Sequence, residues 1–214
     1  MNRIEPLEER RQYTYDCLRR RQLPLDPWEL FAQWLHQAFA SKIIDATAMS
    51  LASVDATGQP YQRLVLLRAY DHQGLVFYTH LKSRKVVQLQ ANARVSLLFP
   101  WQAMDRQVMA LGECEPLARE RVEHYFQSRP RQSQLAAWAS EQSMPIPSKA
   151  YLLERFNAYE RQFSDKTVPA PVEWGGFRVC VNTFEFWQGG MDRLHDRFLY
   201  QRSGQQWQIS RLAP

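Results

Sequence analysis

Two arginines bracket an otherwise apolar run, Arg63-Leu64-Val65-Leu66-Leu67-Arg68. A charge buried without a partner is expensive, so an arginine in such a run needs an anion. In one extended strand Arg63 and Val65 share a face and Arg68 takes the other. The plain structural alternative is an edge-strand arginine or an ion pair. A second set follows: Tyr78-Thr79, a short loop, then Ser83-Arg84-Lys85. Ser83 is placed to cap a helix, and helix N-termini bind phosphates through free N–H groups and the helix dipole. Two cations in a first helical turn are unfavourable unless an anion lies in front of them. Solvated surface cations are the alternative. No GxxxxGK[ST] occurs, so this is not a P-loop.

A third set is Tyr125, Arg129 and Ser133. Tyr125 and Arg129 share a helix face if the helix reaches that far, and Ser133, just after Pro130, is placed to cap the next one. Together they could hold a phosphate monoester; taken alone, a hydrogen-bonded helix junction is the plainer reading. The fourth is Glu185 to Arg197, EFWQGGMDRLHDR, read as strand, glycine turn, strand. Arg193, His195 and Arg197 alternate, which puts all three on one face of an extended segment. That face repels itself unless an anion or several carboxylates neutralise it. No GxSxG, HExxH or GxGxxG is present, so in an enzyme a cofactor would carry the hard chemistry.

The elements that must position these residues are legible in outline. Asp26-Pro27 starts a helix that Leu30, Phe31, Trp34, Leu35 and Ala38 carry to about Ile44. Strands are expected at 47–54, 61–70 and 75–80, with turns at Asp55–Gly58 and Asp71–Gly74. A helix follows from Ser83 to about Asn92, then strands at 94–101 and 106–116. Helices are expected near 118–128, 131–140 and 148–164, a proline-broken stretch at 168–172, and strands at 175–188, 196–202 and 206–211. Short turns join the strands, and helices fall between groups of strands. That is an antiparallel sheet or barrel with appended helices (α+β), not a doubly wound array. Residues 1–22 read as a mobile N-terminal arm or short surface helix, and 23–214 as a single domain.

The 214 residues suffice for a sizeable core, and seven Trp, nine Tyr and eleven Phe argue against disorder. The net charge of +5 is compatible with nucleic acid, an anionic membrane or a phosphorylated small molecule. Cys17, Cys114 and Cys180 show no metal-ligand spacing, and no metal site is expected. The N-terminus has no apolar signal core, and no run approaches a membrane span, so a cytoplasmic protein is expected. The basic run Arg19-Arg20-Arg21 is a second anionic site or a solvated face.

The chain resembles the pyridoxine/pyridoxamine 5'-phosphate oxidase family over nearly its whole length. The resemblance rests on EFWQGG followed by RLHDR, on QPYQRLVLL (59–67), VFYTHLKSRK (76–85), RVSLLFPW (94–101), RQVMALG (106–112), YFQSRPRQSQ (125–134) and the terminal RLAP. It implies a split β-barrel homodimer with FMN in a cleft between subunits. The implied FMN contacts are Arg63, Leu64, Val65, Leu66, Leu67, Arg68, Tyr78, Thr79, Ser83, Arg84, Lys85, Gln107, Gln142, Ser143, Trp187 and Arg197, some from the second subunit. The implied substrate-phosphate contacts are Tyr125, Arg129, Ser133 and Arg68, where the family commonly has Lys; Arg is a planar fork and Lys a point charge. Arg193 and His195 would lie over the pyridine ring as the catalytic pair. Arg10 and Tyr13 would belong to a segment that closes over the site; Tyr15-Asp16-Cys17 stands where relatives often bear glycine.

The implied reaction moves a hydride from substrate C4' to flavin N5, yields pyridoxal 5'-phosphate, and reduces O2 to H2O2. Alternatives are a split-barrel flavin oxidoreductase with another substrate, a non-catalytic FMN or pyridoxal phosphate binder, and a basic nucleic-acid-binding protein. The last has no recognisable motif; neither nucleic acid nor membrane is an expected partner.

Overall fold

The computed structural model describes residues 11–214. These residues gather into two compact units, each discontinuous in sequence. Among the described residues no helix is long and apolar enough to cross a membrane.

The first unit comprises the described residues up to Ala46, Phe99–Met109 and Thr183–Pro214. Helix α1, Pro27–Ala40, begins as the sequence predicts: Asp26 accepts from the Trp28 N–H at 3.0 Å, and Pro27 occupies the first turn. It ends four residues before the expected Ile44. Lys42 turns left-handed (φ 52), its N–H bonds Phe39 O, and the Ile43 N–H bonds Ala38 O. That pairing is a Schellman stop, here built on Lys rather than Gly. The apolar face of α1 packs Phe31 against Phe99 and Phe184, and Trp34 edge-on to Phe186. The second half of β7 (Trp174–Gln188) pairs antiparallel with β8 (Asp196–Ser203), and β8 with β9 (Gln206–Leu212).

The second unit comprises Thr47–Leu98 and Ala110–Asn182. The sheet runs β2-β1-β5-β6-β7-β4-β3, where β1 is Ala48–Val54, β2 Pro60–Leu66, β3 Ala69–Asp71, β4 Gly74–His80, β5 Arg94–Trp101 and β6 Arg106–Pro116, and β5, β6 and β7 each have residues in both units. Both expected turns form. Asp55 Oδ1 accepts from the Thr57 and Gln59 N–H groups, with Gly58 at φ +86, and Asp71 Oδ1 accepts from Gln73 and Gly74. Helix α2, Arg84–Ala91, follows β4. Helices α3 (Arg119–Ser128), α4 (Arg131–Ala139) and α5 (Lys149–Gln162) follow β6, with a small core of Phe126, Leu135, Ala137, Phe163 and Val168.

The expected strand 61–70 is two strands. Leu67 N–H bonds Thr47 O at 2.9 Å and Arg68 N–H bonds Val76 O at 2.8 Å, so the chain changes pairing partner at this corner. The corner overturns the assignment of Arg68 to the face opposite Arg63: both line one cavity. The antiparallel, helix-appended architecture is otherwise as expected.

Candidate functional site

A cavity of about 600 Å³ opens in the second unit. Strand β2 lines it with Tyr61, Gln62, Arg63, Leu64, Val65 and Leu66, and the corner adds Arg68. Strand β4 gives Tyr78 and Thr79, the first turn of α2 gives Arg84 and Lys85, and the end of α3 gives Tyr125 and Arg129. Gln142, Ser143 and Trp174 complete it. Five of these residues are cationic and none is Asp or Glu.

Arg63 is held from behind. Its Nη1 donates to Leu51 O at 3.1 Å and Ser53 Oγ at 2.6 Å, and its Nη2 donates to Gln88 Oε1 at 2.8 Å. Lys85, 8% exposed, has neutral acceptors: Thr79 Oγ1 at 2.9 Å, Gln142 Oε1 at 3.0 Å and Ser83 Oγ at 3.2 Å. Burial, and then the charge of Arg63, push the ammonium down to about 8. Ser83 stands at the N-cap of α2, but its side chain makes no cap bond and accepts from Lys85 instead. Arg84 lies over the Tyr61 ring, 5.7 Å from its centroid.

Arg129 ends α3 with its guanidinium 4.2 Å over the Trp174 ring. Its Nη1 is buried with no hydrogen-bond acceptor. Burial lowers its pKa and nearby Arg68 adds to the shift. Tyr125 stacks on Tyr78 with centroids 3.7 Å apart and planes 10° from parallel. An arginine nitrogen buried without an acceptor, on a wall of cations, fits a ligand that brings anionic oxygens.

A second cluster lies in the first unit. The His195 ring sits 4.7 Å from Trp187 and 5.4 Å from Tyr13, and Arg193 lies 5.6 Å over Tyr13. His195 Nδ1 accepts from the Gly190 N–H at 3.1 Å, which leaves the ring's proton on Nε2. Burial, then Arg193 and Arg197, lower its pKa. Gly190 has no room for a side chain, since a Cβ there would meet Leu194 O at 2.3 Å.

The structure corrects the expected alternation. Met191–Arg193 is a single 3-10 turn with Asp192 (φ 53) and Arg193 (φ 65) left-handed, and β8 starts only at Asp196. Arg193, His195 and Arg197 therefore do not share a strand face. Arg197 is also already paired, with Glu185 Oε1 at 2.8 Å. Ser133 does not cap α4; Pro130 holds that position, and Ser133 sits inside the first turn, half-buried. Leu67, Ser83, Gln107, Ser133, Trp187 and Arg197 do not line the cavity. Arg10 lies outside the described residues.

Sequence reasoning missed Tyr61, Gln62 and Trp174 in the lining, and Ser53 and Gln88 behind Arg63. Gln88 carried one usable signal: it falls four residues after Arg84, on the same helix face. Among the described residues no group of His, Cys, Asp and Glu is placed to hold a metal ion.

The cavity, with its paired and unpaired cations on an antiparallel sheet, suits ligands that bring anionic oxygens. Residues 35–162 match the family described as Pyridoxamine 5'-phosphate oxidase, and residues 174–214 match the one described as Pyridoxine 5'-phosphate oxidase C-terminal dimerisation region. A protein of Escherichia fergusonii named Pyridoxine/pyridoxamine 5'-phosphate oxidase is 55% identical over 205 residues, covering 96% of this chain and 94% of its own. Its namesake in Escherichia coli K12 matches to the same extent. The chain belongs to the pyridoxine/pyridoxamine 5'-phosphate oxidase family. Among solved structures, PhzG from Burkholderia lata 383, in complex with tetrahydrophenazine-1-carboxylic acid, superposes with a TM-score of 0.87 at 27% identity, covering 93% of this chain and 98% of that one. A pyridoxamine 5'-phosphate oxidase-related, FMN binding protein from Nostoc punctiforme shares the fold, with a TM-score of 0.71 at 16% identity over 90% of this chain and all of its own.

Proposed function

We propose that the protein is an FMN-dependent oxidase that converts pyridoxine 5'-phosphate or pyridoxamine 5'-phosphate to pyridoxal 5'-phosphate, acting as a cytoplasmic homodimer with FMN at the subunit interface. One observation carries the reading: the cavity has five cations, no carboxylate, and an Arg129 nitrogen buried without an acceptor. The relatives' shared name gives the substrate class. The dimerisation region matched at 174–214 supports the homodimer.

Arg63, Arg84 and Lys85 would hold the flavin phosphate, with the α2 N-terminus behind them. Tyr78, Thr79, Gln142 and Ser143 would take the rest of the flavin. Arg68, Tyr125 and Arg129 would anchor the substrate phosphate. Arg193 and the neutral His195 would orient the pyridine ring, and Tyr13 would cover it. Bound FMN would supply a hydride acceptor for substrate C4', and O2, the terminal oxidant, would be reduced to H2O2; with pyridoxamine 5'-phosphate, water would hydrolyse the resulting C4' imine and release ammonia. The residues themselves bind, orient and shield; none needs to abstract a proton from carbon. Reconstitution with FMN followed by pyridoxamine 5'-phosphate should release equal amounts of pyridoxal 5'-phosphate and H2O2. A protein unable to take up FMN would refute the reading.

A further inference from the structure

Asp105 has no part in the cavity, yet two segments converge on it. Its side chain is 6% exposed, in a left-handed backbone conformation (φ 50) that a non-glycine residue adopts only at a cost. The carboxylate faces the stretch 11–16. Oδ2 accepts from the Thr14 N–H at 3.2 Å and the Tyr15 N–H at 3.4 Å, and Oδ1 pairs with Arg11 at 2.5 Å. The next residue repeats the hold: Arg106, 4% exposed, donates to Asp16 Oδ2 at 2.8 Å. The Asp105 carbonyl faces the glycine turn instead. It accepts from the Gly189 N–H at 2.7 Å and from Gln188 Nε2 at 3.2 Å.

Tyr13 lies inside the stretch held by the carboxylate, and His195 lies beyond the turn held by the carbonyl. Their rings meet at 5.4 Å. The seat is tight: a Cβ on Gly189 would come within 2.7 Å of Tyr13. We infer that Asp105 is a positioning residue that locks the 11–16 strap, through its carboxylate, so that Tyr13 is seated against His195. The inference rests on the proposed role of Tyr13 and His195 at the substrate ring. Asp105 touches no reacting atom; it acts through Tyr13. A carboxylate accepting backbone N–H groups of a loop fixes that loop's register, and its loss frees the loop.

The test uses the FMN-loaded enzyme and its variants Asp105→Asn, Asp105→Ala, Arg11→Ala, Tyr13→Ala and the double variant Asp105→Asn/Tyr13→Ala. Asp105→Asn keeps the shape and guards against simple misfolding. It should raise KM for pyridoxamine 5'-phosphate about tenfold with kcat changed less than about threefold, the pattern of lost substrate binding. FMN affinity should stay within about twofold, because no Asp105 contact reaches the cavity. The double variant should be no worse than Tyr13→Ala alone. Amide exchange at Thr14 and Tyr15 should accelerate in Asp105→Asn and in Arg11→Ala. Multiplying effects in the double variant, or unchanged exchange at both amides, would overturn the inference. The exchange measurement needs no turnover, so it tests the strap even if the oxidase reading fails; inactivity of the unmodified holoenzyme would mark that other failure.

Discussion

The guanidinium of Arg63 and the side-chain amide of Gln88 are joined: Nη2 donates to Oε1 at 2.8 Å, from strand β2 to helix α2. Ser53 Oγ closes the triangle, donating to the same Oε1 at 2.7 Å. Gln88 is buried, and its Oε1 accepts from both, which holds Arg63 on the cavity wall. Gln88→Leu is expected to weaken FMN binding about tenfold, the order of one hydrogen bond to a charged group. Titration by quenching of flavin fluorescence checks this. An unchanged affinity would mean that Arg63 does not meet the flavin phosphate.

Lys85 gives a pH dependence with a defined sign. Its ammonium sits at about 8 in the folded protein, against roughly 10.4 in an unfolded chain. Between those values the unfolded chain holds a proton that the folded one has released. Stability of the FMN-free protein therefore rises with pH across this window, and the burial penalty is present in full below it. Phosphate binding needs the charged form. FMN affinity is expected to fall as pH climbs above about 8, by up to about tenfold per unit. Lys85→Met should bind FMN weakly and lose this slope while its FMN-free melting temperature does not drop.

Arg129 should separate substrate from cofactor. Its unmatched nitrogen, beside Arg68, is the proposed seat of the substrate phosphate. Arg129→Ala is expected to raise KM for pyridoxamine 5'-phosphate about a hundredfold, the scale of losing a charge-assisted pair, with FMN still bound. Arg129→Lys should recover little, because the guanidinium fork over Trp174 is not reproduced by a point charge. Steady-state kinetics on yellow, FMN-loaded variants decides the matter.

Arg193→Ala and His195→Ala are each expected to cut turnover by about a hundredfold or more while the protein keeps its FMN. The lowered pKa of His195 keeps its imidazole neutral at pH 7, with Nδ1 accepting from Gly190. With FMN kept saturating, so that the alkaline loss of affinity set by Lys85 does not enter, activity is therefore expected to be flat from neutral to mildly alkaline pH and to fall in acid, where protonation breaks that hydrogen bond. Near-normal turnover in both variants would remove the pair from the active site.

Local chemistry made much of this legible. Asp26-Pro27, the Asp55–Gly58 turn and the Asp71–Gly74 turn each carry their own hydrogen-bonding instructions, and all three form. The cations of the cavity stood out because arginine and lysine interrupt apolar runs or crowd a helix start. Three features were not readable. The break at Leu67-Arg68 is set by Thr47 O and Val76 O, acceptors on other strands. The left-handed Asp192 and Arg193 carry no glycine or asparagine to announce them, so the alternation through Arg197 misled. Gln88 and Ser53 meet across 35 residues of chain, beyond any local spacing.

The most direct measurement is a single turnover without oxygen. FMN-loaded protein mixed anaerobically with pyridoxamine 5'-phosphate should lose its yellow absorbance and form one pyridoxal 5'-phosphate per flavin; admitting O2 should restore the colour and release H2O2. A flavin that stays oxidised with saturating pyridoxamine 5'-phosphate, and likewise with pyridoxine 5'-phosphate, would contradict the account.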